Sequence, residues 1–145
     1  MAYKSKYKPA PFESMGQSFI NARGDRQADT SANIFESMLQ SRAFKSLIAR
    51  QQMLYVYCKA QYYGKRKPER DYQDVDAVQG ADFFYLNWDA VKTLYGRYSA
   101  KDSSTFYKDM DVLIKRGFIE RTASGKAQHE KTVYRFSAEW KAYDG

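Results

Sequence analysis

A chain of 145 residues has room for one compact domain and a tail, and burial of roughly two-thirds of the unfolded surface at this size removes any need for disulfides or a metal to fold. One cysteine, Cys58, and one histidine, His129, exclude an internal disulfide and a zinc site of the Cys₂His₂ type. The net charge of +7 and the pI near 9.4 favour polyanionic partners, nucleic acid above all.

Residues 1–33 read as a flexible basic arm. Lys4, Lys6 and Lys8 alternate with small residues and with Tyr3 and Tyr7, Pro9 and Pro11 block a regular helix, and NARGDRQADTSAN is polar and turn-prone. Such an arm either lies along a phosphate backbone or stays a solvated, disordered end. Its opening MAYKSKYKPAP lacks the apolar centre of a signal peptide, and nothing in the chain approaches the ~18 apolar residues of a membrane span, so a cytoplasmic protein is expected.

A single domain is expected over 34–145. IFESMLQSRAFKSL sets Ile34, Phe35, Met38 and Leu39 at helical spacing, followed by Phe44 and Leu47, as a short lead-in packed on the core. The first main helix is predicted from Ala49 to Tyr63, with Gln51, Leu54, Cys58 and Gln61 or Tyr62 on one face, Tyr57 broadening it and Gly64 as its stop. A charged loop over 65–82, with Asp71, Asp74 and Asp76, has no apolar period and is a candidate surface for a protein partner. Phe83 to Leu86 is β-prone. Asn87 then caps a two-turn helix with Trp88, Val91, Leu94 and Tyr95 on one side, which Gly96 ends.

The next stretch, STFYKDMDVLIKRGFIERT, runs a helical pattern into a glycine and changes at once to strand-forming residues. With Ser103 taken as N-cap, Ser103, Phe106, Met110, Leu113 and Ile114 fall in one arc about 100° wide. Ser104, Lys108, Asp111 and Lys115 lie nearly opposite, with Tyr107 on the flank. Gly117 closes the helix, FIERT turns to strand, ASGKAQHEK is a polar loop and TVYRF returns as a second strand.

FYLNWDAVKTLYG, STFYKDMDVLIKRGFIERT and KTVYRFS together resemble a winged helix-turn-helix domain, most of all those of plasmid and phage replication proteins and regulators; the resemblance spans Phe35 to Trp140. It implies an α+β, mainly α fold, with a three-helix core and a β-hairpin wing following the arm. It also implies double-stranded DNA as partner, with the helix of Ser103 to Arg116 in the major groove and the hairpin on the flanking backbone. Carried over, Ser104, Thr105, Tyr107 and Lys108 approach the bases, Lys101 and Arg97 stand beside them, and Lys126, His129 and Lys131 form the wing tip. Ile48 departs from the usual Ser or Thr cap, the turn GRYSAKD is long, and Asp109 and Asp111 place negative charge along the reading helix.

These departures keep a second function open, a protein-interaction module on the same fold. A homodimer reading paired half-sites is a further expectation, with IFESMLQ as its candidate surface. No phosphate-cradling glycine motif occurs, DYQDVD lacks the spacing of a calcium loop, and Tyr55, Tyr57, Tyr62 and Tyr63 have no histidine cluster to support a tyrosine nucleophile. Neither a cofactor nor enzymatic activity is expected.

Overall fold

A computed structural model of the chain describes residues 10–61, 83–123 and 132–145. Among them the order of elements is β1 (Ser18–Ile20), β2 (Arg26–Ala28), α1 (Glu36–Leu39), α2 (Arg42–Lys45), α3 (Ala49–Ala60), β3 (Phe83–Tyr85), α4 (Trp88–Tyr95), α5 (Ser103–Lys115), β4 (Ile119–Ala123), β5 (Val133–Phe136) and a final 3₁₀ turn, Glu139–Ala142. The fold is α+β, with small antiparallel sheets.

Within the stretch read as an arm, β1 and β2 form a hairpin, Phe19 opposite Gln27. The side chain of Asn21 closes it, its Oδ1 accepting the N–H groups of Arg23 and Asp25 at 2.9 Å. An asparagine bonding its own turn in this way is the local chemistry that the polar composition had hidden.

The second sheet is built from three strands in the order β3-β5-β4. β5 is central, so the strand preceding α4 and the hairpin following α5 are one structure. Phe84 faces Tyr134, and Ile119 faces Phe136. On that face the aromatic rings stack at 4.5 Å (Phe84–Phe136) and 5.6 Å (Phe84–Tyr134). The opposite face carries Glu120, Arg135 and Phe83 in register, with an ion pair between Glu120 and Arg135.

Helix α3 buries Leu54, Tyr55, Tyr57 and Cys58. It ends at Ala60, earlier than Tyr63, and the predicted stop at Gly64 lies outside the described residues. With Ile48 as its cap residue, the exposed N–H is met from the other direction: Gln51 Oε1 accepts from Ile48 N–H at 3.2 Å. Asn87 caps α4 as expected, accepting from Ala90 N–H at 2.8 Å, and Gly96 ends it at φ +69°. Tyr57 and Tyr95 stack at 4.2 Å, joining α3 to α4. In the lead-in, Ala43, Phe44 and Leu47 are buried, and Ser41 caps α2 through Phe44 N–H. The spacing had placed Phe35 and Leu39 with Ile34 and Met38. The structure separates them, because a four-residue helix turns only one narrow stripe inward: Ile34 and Met38 pack on the core while Phe35 is 76% exposed.

Helix α5 has Asp102 at its N-cap in place of Ser103. That carboxylate is turned back, accepting from Ser99 Oγ–H at 2.9 Å. At the other end, Gly117 N–H donates to Ile114 C=O and Phe118 N–H to Leu113 C=O, the paired bonds of a Schellman ending. Gly117 is required twice over. Its φ is +87°, and a Cβ there would sit 2.6 Å from the carbonyl carbon of Glu139 and from Trp140 N. The last turn of the chain is seated on this spot: Trp140 N–H donates to Gly117 C=O at 3.0 Å, and the Trp140 ring stacks on Phe118 at 6.1 Å.

Gly117→Ala should therefore destabilise the fold by more than the ~1–2 kcal/mol of left-handed backbone strain. Gly96→Ala, where a Cβ meets open space, should lose about that strain alone. Urea unfolding of the two variants checks the order.

Candidate nucleic-acid interface

The outward edge of α5 follows from helix geometry. At 100° per residue, Ser104, Lys108, Asp111 and Lys115 share a stripe about 60° wide, running roughly 16 Å along the axis. All four are exposed, and neither lysine ammonium has an ion-pair partner among the described residues. Tyr107 stands on one flank, 42% exposed, its ring edge-on to buried Phe106 at 4.8 Å. Thr105, on the opposite flank, is half-buried. Arg97 and Lys101 are exposed in the preceding turn, where Ser99 and Asp102 bond each other and leave Lys101 directed to solvent. Ser104, Thr105, Tyr107, Lys108, Lys101 and Arg97 thus gather on and beside one helix. Lys126, His129 and Lys131 lie outside the described residues, as does the 65–82 loop.

The two aspartates of α5 play a different part from the one their charge predicts. Asp109 is not on the outward edge: it is 2% exposed. Its Oδ2 accepts from Arg50 Nε at 2.6 Å and from the Tyr98 hydroxyl at 2.7 Å. Its Oδ1 accepts from Arg50 Nη2 at 3.0 Å and Gln51 Nε2 at 3.1 Å. Burial by itself pushes this carboxyl up; the bonds from Arg50, Tyr98 and Gln51 together outweigh it and hold the group below its ordinary value of 3.8. The Arg50 guanidinium is correspondingly held charged by Asp109, and burial drives the Tyr98 phenol upward, helped by its bond to the carboxylate.

Asp111 does face outward, yet it is paired with Arg121 of β4, Nη2 to Oδ1 at 3.3 Å. Arg121 also acts on the phenol of Tyr134, which burial pushes up to about 12 while the arginine pulls the other way. Each aspartate therefore docks an arginine from another element, Arg50 on the Thr105 side and Arg121 on the Tyr107 side. These two arginines are the functional candidates that the sequence left unseen. One signal was available. Asp109 stands only about 40° from Leu113 on the helical wheel, at the margin of the buried arc, where a carboxylate demands a partner.

The turn before α5 is shaped by the same network. Tyr98 has φ +61°, a left-handed conformation that a bulky residue adopts only when held. It is held by its hydroxyl bond to Asp109, by its ring against Phe106 at 5.5 Å, and by Trp88 Nε1–H donating to its carbonyl at 3.1 Å. The length of GRYSAKD is what lets that ring fold back inside. Among the described residues, no group of three His, Cys, Asp or Glu side chains could hold a metal ion, and no helix is long and apolar enough to cross a membrane. Tyr55 and Tyr57 belong to the core.

No protein family, curated protein or solved structure matches this chain.

Arg50→Met leaves a buried carboxylate without its cation and should cost about 3–5 kcal/mol. Asp109→Asn keeps an acceptor for Tyr98 and frees a half-exposed arginine to reach water, so a smaller loss of about 1–3 kcal/mol is expected. Chemical unfolding of both variants tests this asymmetry.

Because the Asp109 carboxyl titrates below its ordinary value when folded, its contribution is complete above about pH 4 and disappears as the pH falls through the lowered value. The stability of the native chain should accordingly drop more steeply below pH 4 than that of Asp109→Asn, read from urea midpoints across an acid series.

Proposed function

We propose that this chain is a winged helix-turn-helix protein that binds double-stranded DNA, serving as a regulator or replication-associated factor of a plasmid or phage. The order α3-β3-α4-α5-β4-β5, with β3 and β4 on either side of β5, supports the winged-helix reading. Helix α5 is the reading helix and β4–β5 the base of the wing. A helix with its side chains is about 10–12 Å across, a match for a major groove about 12 Å wide.

The observation that carries the proposal is the division of charge on α5. Its acids are engaged by Arg50 and Arg121, while Lys108 and Lys115, unpaired among the described residues, share the outward stripe with Ser104. Lys108 and the hydroxyls of Ser104 and Thr105 are suited to base edges and nearby phosphates. Arg97, Lys101 and Lys115 are suited to the phosphate strands on either side.

A protein-interaction module is the alternative, and the exposed apolar side chains of Phe35, Leu39 and Ile48 favour it. The two readings separate by titration. DNA binding requires an affinity for duplex that falls with salt, with a log–log slope near −0.9 for each phosphate neutralised. A site selected from random duplexes should lose about 1–3 kcal/mol of specific binding on Lys108→Ala. Absence of duplex binding at low salt, or charge reversal at Lys108 without effect on affinity, would instead support the interaction module.

A further inference from the structure

The pair formed by Arg50 and Asp109 has an unused side. Two of the guanidinium's three nitrogens, Nε and Nη2, are committed to the carboxylate. Nη1 has no partner among the described residues, and the side chain is 50% exposed although the aspartate beneath it is buried. The guanidinium is therefore held along its Nε–Nη2 edge while half of the side chain stays exposed to water. Its position is fixed by α5 itself: Asp109 follows Thr105 by one helical turn and Lys108 by one residue, and Tyr98, the chain neighbour of exposed Arg97, shares the same Oδ2.

We infer that Arg50 is a preformed phosphate-binding residue, its guanidinium clamped by Asp109 so that the Nη1 edge meets a backbone phosphate of the duplex on the Thr105 side of α5. This rests on the DNA-binding reading above and adds to it a residue from a different helix. An unanchored surface arginine must freeze a long side chain when it binds, whereas this one is already ordered by two charge-assisted bonds. The guanidinium's remaining N–H groups match a phosphate oxygen in geometry and charge. Asp109 does not cancel this use, because it occupies the opposite edge and is shielded from the ligand by the arginine it holds.

The test is the salt dependence of duplex binding by the full chain carrying Arg50→Met together with Asp109→Asn. This double substitution removes one cation and one anion, so the net charge of +7 is unchanged. It also leaves no buried charge unpaired, and the amide oxygen introduced by Asp109→Asn still accepts from Tyr98. If Arg50 contacts a phosphate, the log–log salt slope becomes shallower by about 0.9 and affinity at ~0.1 M salt weakens roughly tenfold. A purely structural pair would leave the slope at the native value, and that result overturns the inference. Arg50→Lys provides the second variant. Its single ammonium is taken up by Asp109, so the same loss of slope is expected with the charge retained, and a native slope counts against the clamp. Native chain that binds no duplex at low salt defeats the DNA reading itself; native binding with unaltered slopes in both variants defeats only the role of Arg50.

Discussion

A carboxylate removed from water must be answered, and Asp109 is answered by three side chains from two places. Arg50 and Gln51 come from the first turn of α3, and Tyr98 comes from the turn before α5. Desolvation makes this non-negotiable, because an uncompensated buried charge costs several kcal/mol. The consequence is geometric: α5 cannot rotate about its axis or slide along α3 without abandoning bonds that nothing else replaces. The left-handed backbone at Tyr98 is tolerated for the same reason, the strain being smaller than the penalty of leaving the carboxylate one donor short.

The other end of α5 is held by shape. Gly117 lets the helix close and lets the final 3₁₀ turn approach to backbone contact, after which Phe118 enters a cluster with Phe44, Tyr55 and Trp140. Arg42 reaches the carbonyl of Asp144 at 3.1 Å, and Arg116 the hydroxyl of Tyr143 at 3.2 Å, so the end of the chain spans from α2 to the end of α5. The hairpin begins immediately after this fixed point. Its orientation to the helix is set by an apolar junction at Gly117 and Phe118 and by the ion pair of Arg121 with Asp111. Aromatic residues make up 17% of the chain, and much of that content has its explanation here and in the stacked rings of the sheet: these rings are the packing material of a small core, each burying a large apolar area with few rotatable bonds.

Engaging the aspartates also arranges the surface. A basic chain whose acids were scattered over the same face would present a mixed field to a polyanion. Here Asp109 is sealed inside, Asp102 is turned onto Ser99, and Asp111, still exposed, is paired with Arg121. Lys101, Lys108, Lys115 and Arg97 are left facing solvent, while Arg50 and Arg121 offset the charges of Asp109 and Asp111. Fold stability and surface charge are thus tied together, because the arginines that anchor α5 also offset its acids.

What the sequence alone determined was whatever depends on near neighbours in the chain. Hydrophobic period located α3, α4 and α5, Asn87 and Gly96 bounded the short helix, and Gly117 marked the switch to strand, because propensity, capping and turn chemistry act over a few residues. The outward placement of Ser104 and Lys108 followed from the same period. Other features needed contacts between residues far apart in sequence: the partner of Asp109 lies 59 residues away, β3 joins a strand that comes after α5, and the last turn of the chain docks on Gly117. A helical wheel shows that a carboxylate stands at the buried margin; it cannot show which arginine will arrive there. That is decided by packing, since desolvation selects a partner only once the helices have come together and excluded water.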